Sequence, residues 1–168
     1  RISLQANIPL VLFNSPSRVG VNLGAENVIR YVNRFPNIVA VKESSGSLKE
    51  VIQMGQAFPS RCNLLQGIDD AFLPSLASGA TGGIMAFAGP MPTILVDILS
   101  GWQNSDNQTA LQRQLSIIPV MKIVAREPMP ILVKEAMNVV GRPMGPTRPP
   151  LYQPSPEDKK ALWKEMET

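Results

Sequence analysis

Residues 38–47, with the sequence IVAVKESSGS, contain the strongest candidate for chemistry in this chain. A β-branched apolar run ends on Lys42 and then breaks into a serine and glycine turn, the pattern of a buried parallel strand that brings a side chain to the mouth of a sheet. Partial removal from water disfavours the charged form of a lysine. The neutral amine can attack a carbonyl carbon and form a Schiff base. The alternative is a strand-end lysine whose head group extends into solvent.

The composition excludes several other kinds of chemistry. The chain has 168 residues and 44% apolar residues, enough for a substantial core. Its basic residues are scattered and the net charge is only +3, so nucleic acid is not an expected partner. There is no histidine and a single cysteine, Cys62, which excludes a disulfide framework, a zinc cluster and a histidine-based triad within the chain. We expect no metal and, without a recognisable secretory leader, a cytoplasmic location.

An uncharged segment, residues 71–96, is long enough to suggest a membrane-spanning helix. Pro74, Pro90 and Pro92, together with several glycine and hydroxyl residues, would leave too many backbone groups unpaired in lipid. We therefore interpret the segment as a helix and a buried strand, and no membrane is expected as a partner.

Short apolar runs alternate with segments of helical spacing, which is typical of α/β proteins with a parallel sheet. The runs predicted to be strands are residues 8–13, 38–41, 62–65 and 82–87. These four βα units, in residues 1–103, are half of a TIM (βα)8 barrel. After Gly101 the spacing changes to longer amphipathic helices, so residues 104–168 are predicted to be a C-terminal helical region. An open four-stranded layer has unpaired edges and needs a partner half, a second copy or further residues upstream.

Caps and spacing predict the helices. Asn22 is the expected N-cap of a helix over residues 22–34, Ser47 and Glu50 form a capping-box pattern, and Asp69 or Asp70 is expected to cap a third helix. The side chains expected to face the core are Val28, Ile29, Val32, Leu48, Val51, Ile52, Leu73, Leu76 and Ala77. Further helices are predicted over residues 93–102, 106–124, 130–140 and 156–166.

Several segments together resemble the dihydrodipicolinate synthase and N-acetylneuraminate lyase family of class I aldolase-type barrels. Those similar to the second half of that barrel are residues 9–20 (PLVLFNSPSRVG), 39–46 (VAVKESSG), 67–70 (GIDD) and 79–84 (GATGGI). Residues 133–137 (VKEAM) and 145–151 (GPTRPPL) resemble the C-terminal helical region of the family. The resemblance covers nearly the whole chain, and the NxPxR arrangement at residues 14–18 favours the synthase branch.

The resemblance implies that Lys42 is the Schiff-base lysine that condenses with the keto carbon of pyruvate, with no metal or organic cofactor. The protonated imine then acts as an electron sink, so that a methyl proton can leave and the enamine can attack an aldehyde. Arg18 would bind a carboxylate of the second substrate at the pocket entrance, a task suited to a planar bidentate donor. Without the resemblance, Arg18 is equally well an ordinary loop arginine.

Four other residues are placed by the same resemblance or by strand alternation. Gly67 and Ile84 would help to bound the pyruvate site, although barrel packing explains Ile84 equally well. Glu43 is predicted to lie on the strand face opposite Lys42, as a structural partner rather than a general base. Phe13 stands where the family usually has a tyrosine whose hydroxyl relays protons, so this catalytic position has lost its proton-relaying group. Loss of a general acid or base costs roughly 100- to 10,000-fold in rate.

The first hypothesis on function is a pyruvate-dependent lyase or synthase of the dihydrodipicolinate synthase type, with aspartate semialdehyde as the second substrate. Aldolases for 2-keto-3-deoxy sugar acids or 4-hydroxy-2-oxoglutarate stay open. A catalytically impaired barrel fragment that binds a ligand or assembles with other chains is the third possibility. A nucleotide-binding fold is disfavoured because neither a Walker loop nor a GxGxxG turn follows a strand. The expected partners are a small keto acid and an aldehyde, in a homo-oligomer or with a completing N-terminal half.

Overall fold

The computed structural model describes residues 2–167. The chain forms two compact units that divide between Met85 and Ala86. The strands of the first unit are β1 (Leu10–Asn14), β2 (Ile38–Glu43), β3 (Asn63–Gln66) and β4 (Gly82–Gly83). They pair in parallel in the order β1-β2-β3-β4. This sheet confirms the four predicted βα units.

Helices connect these strands and make up the second unit. The first unit contains α1 (Ile2–Gln5), α2 (Pro16–Val19), α3 (Ala25–Arg34), α4 (Leu48–Ala57) and α5 (Phe72–Ala77). The second contains α6 (Pro92–Gln103), α7 (Asn107–Val124), α8 (Ile131–Val139) and α9 (Pro156–Met166). Single 3₁₀ turns cover Asp69–Ala71 and Ala86–Ala88. Within residues 2–167, no helix combines the length and apolar character that crossing a bilayer requires.

The two faces of the sheet differ in burial. On the face covered by helices, Val41 and Leu64 are buried. The apolar side chains of the helices that complete this core are Val28 and Val32 on α3, Val51 and Met54 on α4, and Phe72 and Leu76 on α5. On the opposite face, Val11 is 51% and Phe13 52% exposed. Strand alternation puts Lys42 on this open face.

The second unit has a core of its own. Phe87, Val120, Leu132, Ala136 and Leu162 belong to one buried cluster. The Asp106 and Ser155 side chains cap α7 and α9 by accepting hydrogen bonds from the backbone N–H groups of Thr109 and Asp158. The predicted helical region after the sheet is thus confirmed.

Asn22 does not cap the first long helix. The N-cap of α3 is Gly24, with φ of 70°, and no side-chain bond closes this end. Asn22 Oδ1 instead accepts hydrogen bonds from the Gly24 N–H at 3.2 Å and from Asn14 Nδ2 at 2.9 Å. Its amide joins two segments of the chain, because Nδ2 also donates to Glu50 Oε1 at 2.8 Å.

Several predicted core positions and caps are also wrong. Leu48 and Ile52 are 44% and 40% exposed, because α4 turns Val51 and Met54 inward. Ala77 is exposed. Neither aspartate is an N-cap, since Ile68 and Ala71 occupy those positions. Half of the predicted capping box is present, as Ser47 Oγ accepts from the Glu50 N–H at 3.3 Å.

The fourth strand is much shorter than predicted. Only Gly82–Gly83 pair with β3, and the apolar residues that follow enter the 3₁₀ turn Ala86–Ala88. Phe87 is buried in the core of the second unit and not in the sheet. The prediction of a buried strand is therefore wrong for most of this run, since Gly82 and Phe87 are buried but Ile84 is 47% exposed.

Candidate active site

Lys42 lies in a row of residues that crosses the open face of the sheet. The strand register aligns Phe13 with Lys42, Lys42 with Leu65 and Leu65 with Gly82. The Lys42 Nζ atom lies 4.4 Å from the centroid of the Phe13 ring. This distance is within the range of cation–π attraction, so the ring supports the amine from one side.

Gly67 supplies the space that the Lys42 side chain occupies. A Cβ atom added at Gly67 would lie 2.8 Å from Lys42 Cε, 1.9 Å from Ser44 Oγ and 3.1 Å from the Glu43 carbonyl oxygen. The Gly67 N–H also donates to that carbonyl at 2.8 Å, which fixes the two backbones in close approach. Any other residue here would displace the lysine or the serine.

A second row of residues, on the helix-covered face, ends the first three strands. Asn14, Glu43 and Gln66 align in register and are 1%, 1% and 3% exposed. Asn14 Nδ2 donates to Glu43 Oε2 at 2.9 Å, and Glu43 Oε1 accepts from the Ser45 N–H at 2.5 Å. We call these three residues the polar row. Its bonds agree with the structural role expected for Glu43.

The polar row holds the loops that leave the sheet beside Lys42. Asn14 Oδ1 accepts from the Leu23 N–H at 3.2 Å. Gln66 Oε1 accepts from the N–H groups of Gly67 and Ile68 at 2.7 and 2.9 Å, and Gln66 Nε2 donates to the Ser75 hydroxyl. The sequence prediction missed this row. Its signal was a polar residue at the end of each of the first three predicted strands: Asn14 and Gln66 directly follow their apolar runs, and Glu43 follows Lys42.

Arg18 and Ile84 follow the carboxyl-terminal ends of β1 and β4, and Lys42 lies near the same end of β2, between them in the strand order. Arg18 is in α2, which follows β1; it is exposed and makes no side-chain hydrogen bond within residues 2–167. Ile84 follows β4, is 47% exposed and donates its N–H to the Gln66 carbonyl at 2.9 Å. The structure thus brings Lys42, Phe13 and Gly67 into direct proximity, whereas Arg18 and Ile84 share only the carboxyl-terminal end of the sheet with them.

Other candidate reactive groups lie elsewhere. Cys62 is buried and directly precedes β3, so it lies at the amino-terminal end of the strands, whereas Lys42 lies near their carboxyl-terminal end. Burial raises the pKa of the Cys62 thiol, although the nearby Arg61 charge opposes this. A thiol with a raised pKa is a poor nucleophile. Within residues 2–167, no three cysteine or acidic side chains are grouped as metal ligands would be.

Comparison with known proteins agrees with this architecture. The model of the dihydrodipicolinate synthetase family matches residues 1–168. The 4-hydroxy-tetrahydrodipicolinate synthase of Methanopyrus kandleri is 32% identical over 166 residues, which are 99% of this chain and 55% of that protein. The enzyme of the same name from Methanocaldococcus jannaschii is 35% identical over 162 residues, covering 96% of this chain and 55% of that protein.

A solved structure gives the same result. The 4-hydroxy-tetrahydrodipicolinate synthase of Methylacidiphilum fumariolicum superimposes with a TM-score of 0.92 at 28% identity, covering 99% of this chain and 55% of that one. The chain therefore spans about half the length of the relatives it matches. Its four strands and helical region have the fold of the C-terminal half of their TIM barrel. On the match over its whole length, the chain belongs to the dihydrodipicolinate synthetase family.

Proposed function

We propose that Lys42 forms a Schiff base with pyruvate or a closely related 2-keto acid, in a lyase or synthase reaction of the 4-hydroxy-tetrahydrodipicolinate synthase type. The observation that carries this proposal is the position of Lys42. Its side chain ends over the Phe13 ring and fills the space left by Gly67, on the face of the sheet that the helices do not cover. No salt bridge to Lys42 occurs within residues 2–167, so an acidic side chain does not hold its amine.

The chemistry needs only the amine and acid–base exchange. The Lys42 nitrogen adds to the keto carbon, the carbonyl oxygen leaves as water with both amine hydrogens, and the imine then takes up a proton from solvent. The imine withdraws electrons from the adjacent methyl group, which loses a proton and becomes an enamine carbon. That carbon adds to the aldehyde of the second substrate and forms the new carbon–carbon bond. The same steps in reverse describe a lyase.

The flanking residues would select the substrates. Arg18 is exposed at the edge of the sheet, and its planar guanidinium can bind the carboxylate of the aldehyde substrate through two parallel hydrogen bonds. Gly67 and Ile84 would bound the keto acid. Aspartate semialdehyde is the aldehyde that the family resemblance implies, and the sugar-acid and hydroxy-oxoglutarate alternatives use the same imine. The cytoplasmic location expected from the sequence stays a prediction.

A catalytically impaired barrel is the second candidate function. Phe13 favours it, because the ring over the Lys42 amine has no hydroxyl to exchange a proton. The open face of the sheet also favours the impaired form when the chain is considered by itself, because Val11 and Phe13 are half exposed there. A second copy or the first half of a barrel would have to cover this face to enclose a substrate.

Borohydride trapping separates the two functions. The native protein is incubated with pyruvate, reduced with borohydride and digested, and the peptides are measured by mass spectrometry. We expect a reduced pyruvate adduct on Lys42 and its loss in Lys42→Met. Lys49→Met, which changes an exposed lysine of the next helix, should keep the adduct. A folded native protein that gains no adduct would support the impaired form.

A further inference from the structure

Ser44 has a side chain that the structure leaves unexplained. It is the first residue after β2 and two residues after Lys42, so strand alternation puts both side chains on the same face. The Ser44 N–H donates to the Asn14 carbonyl at 2.9 Å, which extends the strand pairing through this residue. The two side chains approach a common point, because the same added Cβ at Gly67 would meet Ser44 Oγ at 1.9 Å and Lys42 Cε at 2.8 Å.

The Ser44 hydroxyl is buried and has no hydrogen-bond partner within residues 2–167. A buried polar group without a partner destabilises a fold, so such groups are rare unless a function retains them. Its neighbour Ser45 differs, since Ser45 Oγ accepts from the Ser47 N–H at 3.1 Å. Phe13, on the other side of the amine, cannot exchange protons. The hydroxyl of Ser44 is therefore an available proton carrier beside the terminal methylene of Lys42.

We propose that Ser44 is a catalytic residue whose hydroxyl carries protons between the Lys42 nitrogen and the oxygen of the keto acid while the imine forms. This inference rests on the proposed function. When the nitrogen adds to the keto carbon, the C–N bond forms and the oxygen becomes negatively charged. Ser44 Oγ donates its proton to that oxygen and takes one from the nitrogen, which gives a neutral carbinolamine and restores the hydroxyl.

The second step repeats the exchange. The hydroxyl donates to the carbinolamine oxygen, the C–O bond breaks, and the oxygen leaves as water. As the C=N bond forms, the nitrogen returns a proton to Ser44, and solvent then protonates the imine. Each pass leaves the serine unchanged, so neither a metal nor another cofactor takes part.

The test measures the rate of imine formation in the native protein. Ser44→Ala is mixed with pyruvate and quenched with borohydride at successive times, and the adduct on Lys42 is quantified by mass. We expect formation to slow by about 100-fold, the lower range for loss of an acid–base group. Ser44→Thr, which keeps a hydroxyl, should recover most of the rate. Ser45→Ala is the matched control and should trap pyruvate as fast as the unmodified protein.

Thermal unfolding distinguishes a catalytic from a structural role. Removal of an unpaired hydroxyl should leave the Tm of Ser44→Ala unchanged or raise it, whereas Ser45→Ala loses a hydrogen bond and should unfold at a lower temperature. Should Ser44→Ala fold poorly, Ser44→Gly serves as a second variant that deletes the same hydroxyl. Trapping by either deletion at the unmodified rate would overturn the role of Ser44 and leave the role of Lys42 intact. No adduct in the unmodified protein would overturn both.

Discussion

At the scale of single residues, the site depends as much on what is missing as on what is present. Gly67 contributes no side chain, and the space it leaves is where Lys42 Cε and Ser44 Oγ lie. Phe13 contributes a ring without a hydroxyl, 4.4 Å from the amine. The lysine is thus placed by close packing and not by an ion pair. Its position should accordingly be sensitive to added volume.

Gly67→Ala should disable the site. The methyl group would overlap Ser44 Oγ and Lys42 Cε and would approach a backbone oxygen that cannot move aside, so we expect a loss of about 1–3 kcal/mol in the free energy of unfolding from overpacking. Pyruvate trapping at Lys42 should fall at least tenfold, since small misplacements of reacting groups are costly. Both are measured by urea unfolding and by the borohydride assay.

Gly82→Ala is the matched control. Gly82 lies in the same row of the sheet, but a methyl group there would meet only Leu65 Cδ2, at an ordinary contact distance of 3.6 Å. It should therefore trap pyruvate normally. Equal behaviour of the two variants would show that Gly67 does not define the position of the lysine.

Of the residues at this site, some could be predicted from the sequence and others could not. Lys42 could be singled out because a lysine between a β-branched run and a serine and glycine turn marks the end of a buried strand, and the family resemblance supplied its expected role. The contact between Gly67 and Lys42 could not be predicted, because it depends on the register of β2 against β3, which no local pattern specifies. Ser44 was missed for a similar reason: a serine in a turn is ordinary until its burial is known.

At the scale of elements, the polar row joins three strand ends to the loops around the site. Glu43 accepts from the Asn14 amide and from the Ser45 N–H, and both partners are donors. A buried carboxylate suits them because each of its oxygens can accept. The row therefore fixes the turn that contains Ser44, immediately after Lys42.

Glu43→Gln should destabilise the protein although it preserves shape. The amide has only one accepting oxygen, so its NH₂ group must face either the Asn14 amide or the Ser45 N–H, and a buried donor is left unpaired. We expect the free energy of unfolding to fall by about 1–3 kcal/mol. Glu26→Gln changes an exposed carboxylate of α3 and should stay within about 0.5 kcal/mol. Chemical denaturation of both variants tests this, and equal values would contradict the importance of the row.

The element boundaries show where sequence patterns fail. Asn22 has the residue type of an N-cap, but tertiary contacts with Asn14 and Glu50 use its amide instead. Leu48 and Ile52 have helical spacing, yet α4 presents a neighbouring stripe of residues to the sheet. The number of strands and their parallel pairing were predictable from the alternation of runs. Cap identity and the rotation of a helix about its axis depend on contacts that are distant in sequence.

At the scale of the whole molecule, the distribution of apolar surface indicates an incomplete barrel. One face of the sheet is buried under helices, while the other exposes Val11 and Phe13 by about half. The outer edge of β1 has no pairing strand within residues 2–167. Exposed apolar faces and strand edges are liabilities that proteins normally cover. The matched relatives, of which the chain spans 55%, have the additional length to do so.

Val11→Glu tests whether this face is covered in the native protein. Val11 and Val21 are similarly exposed in this chain, at 51% and 62%, so the chain by itself predicts that a glutamate is tolerated at either position. A closed barrel predicts a difference, because Val11 would lie in its interior and a buried unpaired charge costs about 3–5 kcal/mol. We expect Val11→Glu to lower the free energy of unfolding by that amount and to abolish pyruvate trapping, while Val21→Glu leaves both unchanged. Equal tolerance of the two substitutions in the native protein would mean that the face stays open, and the site would then have to work without an enclosing barrel.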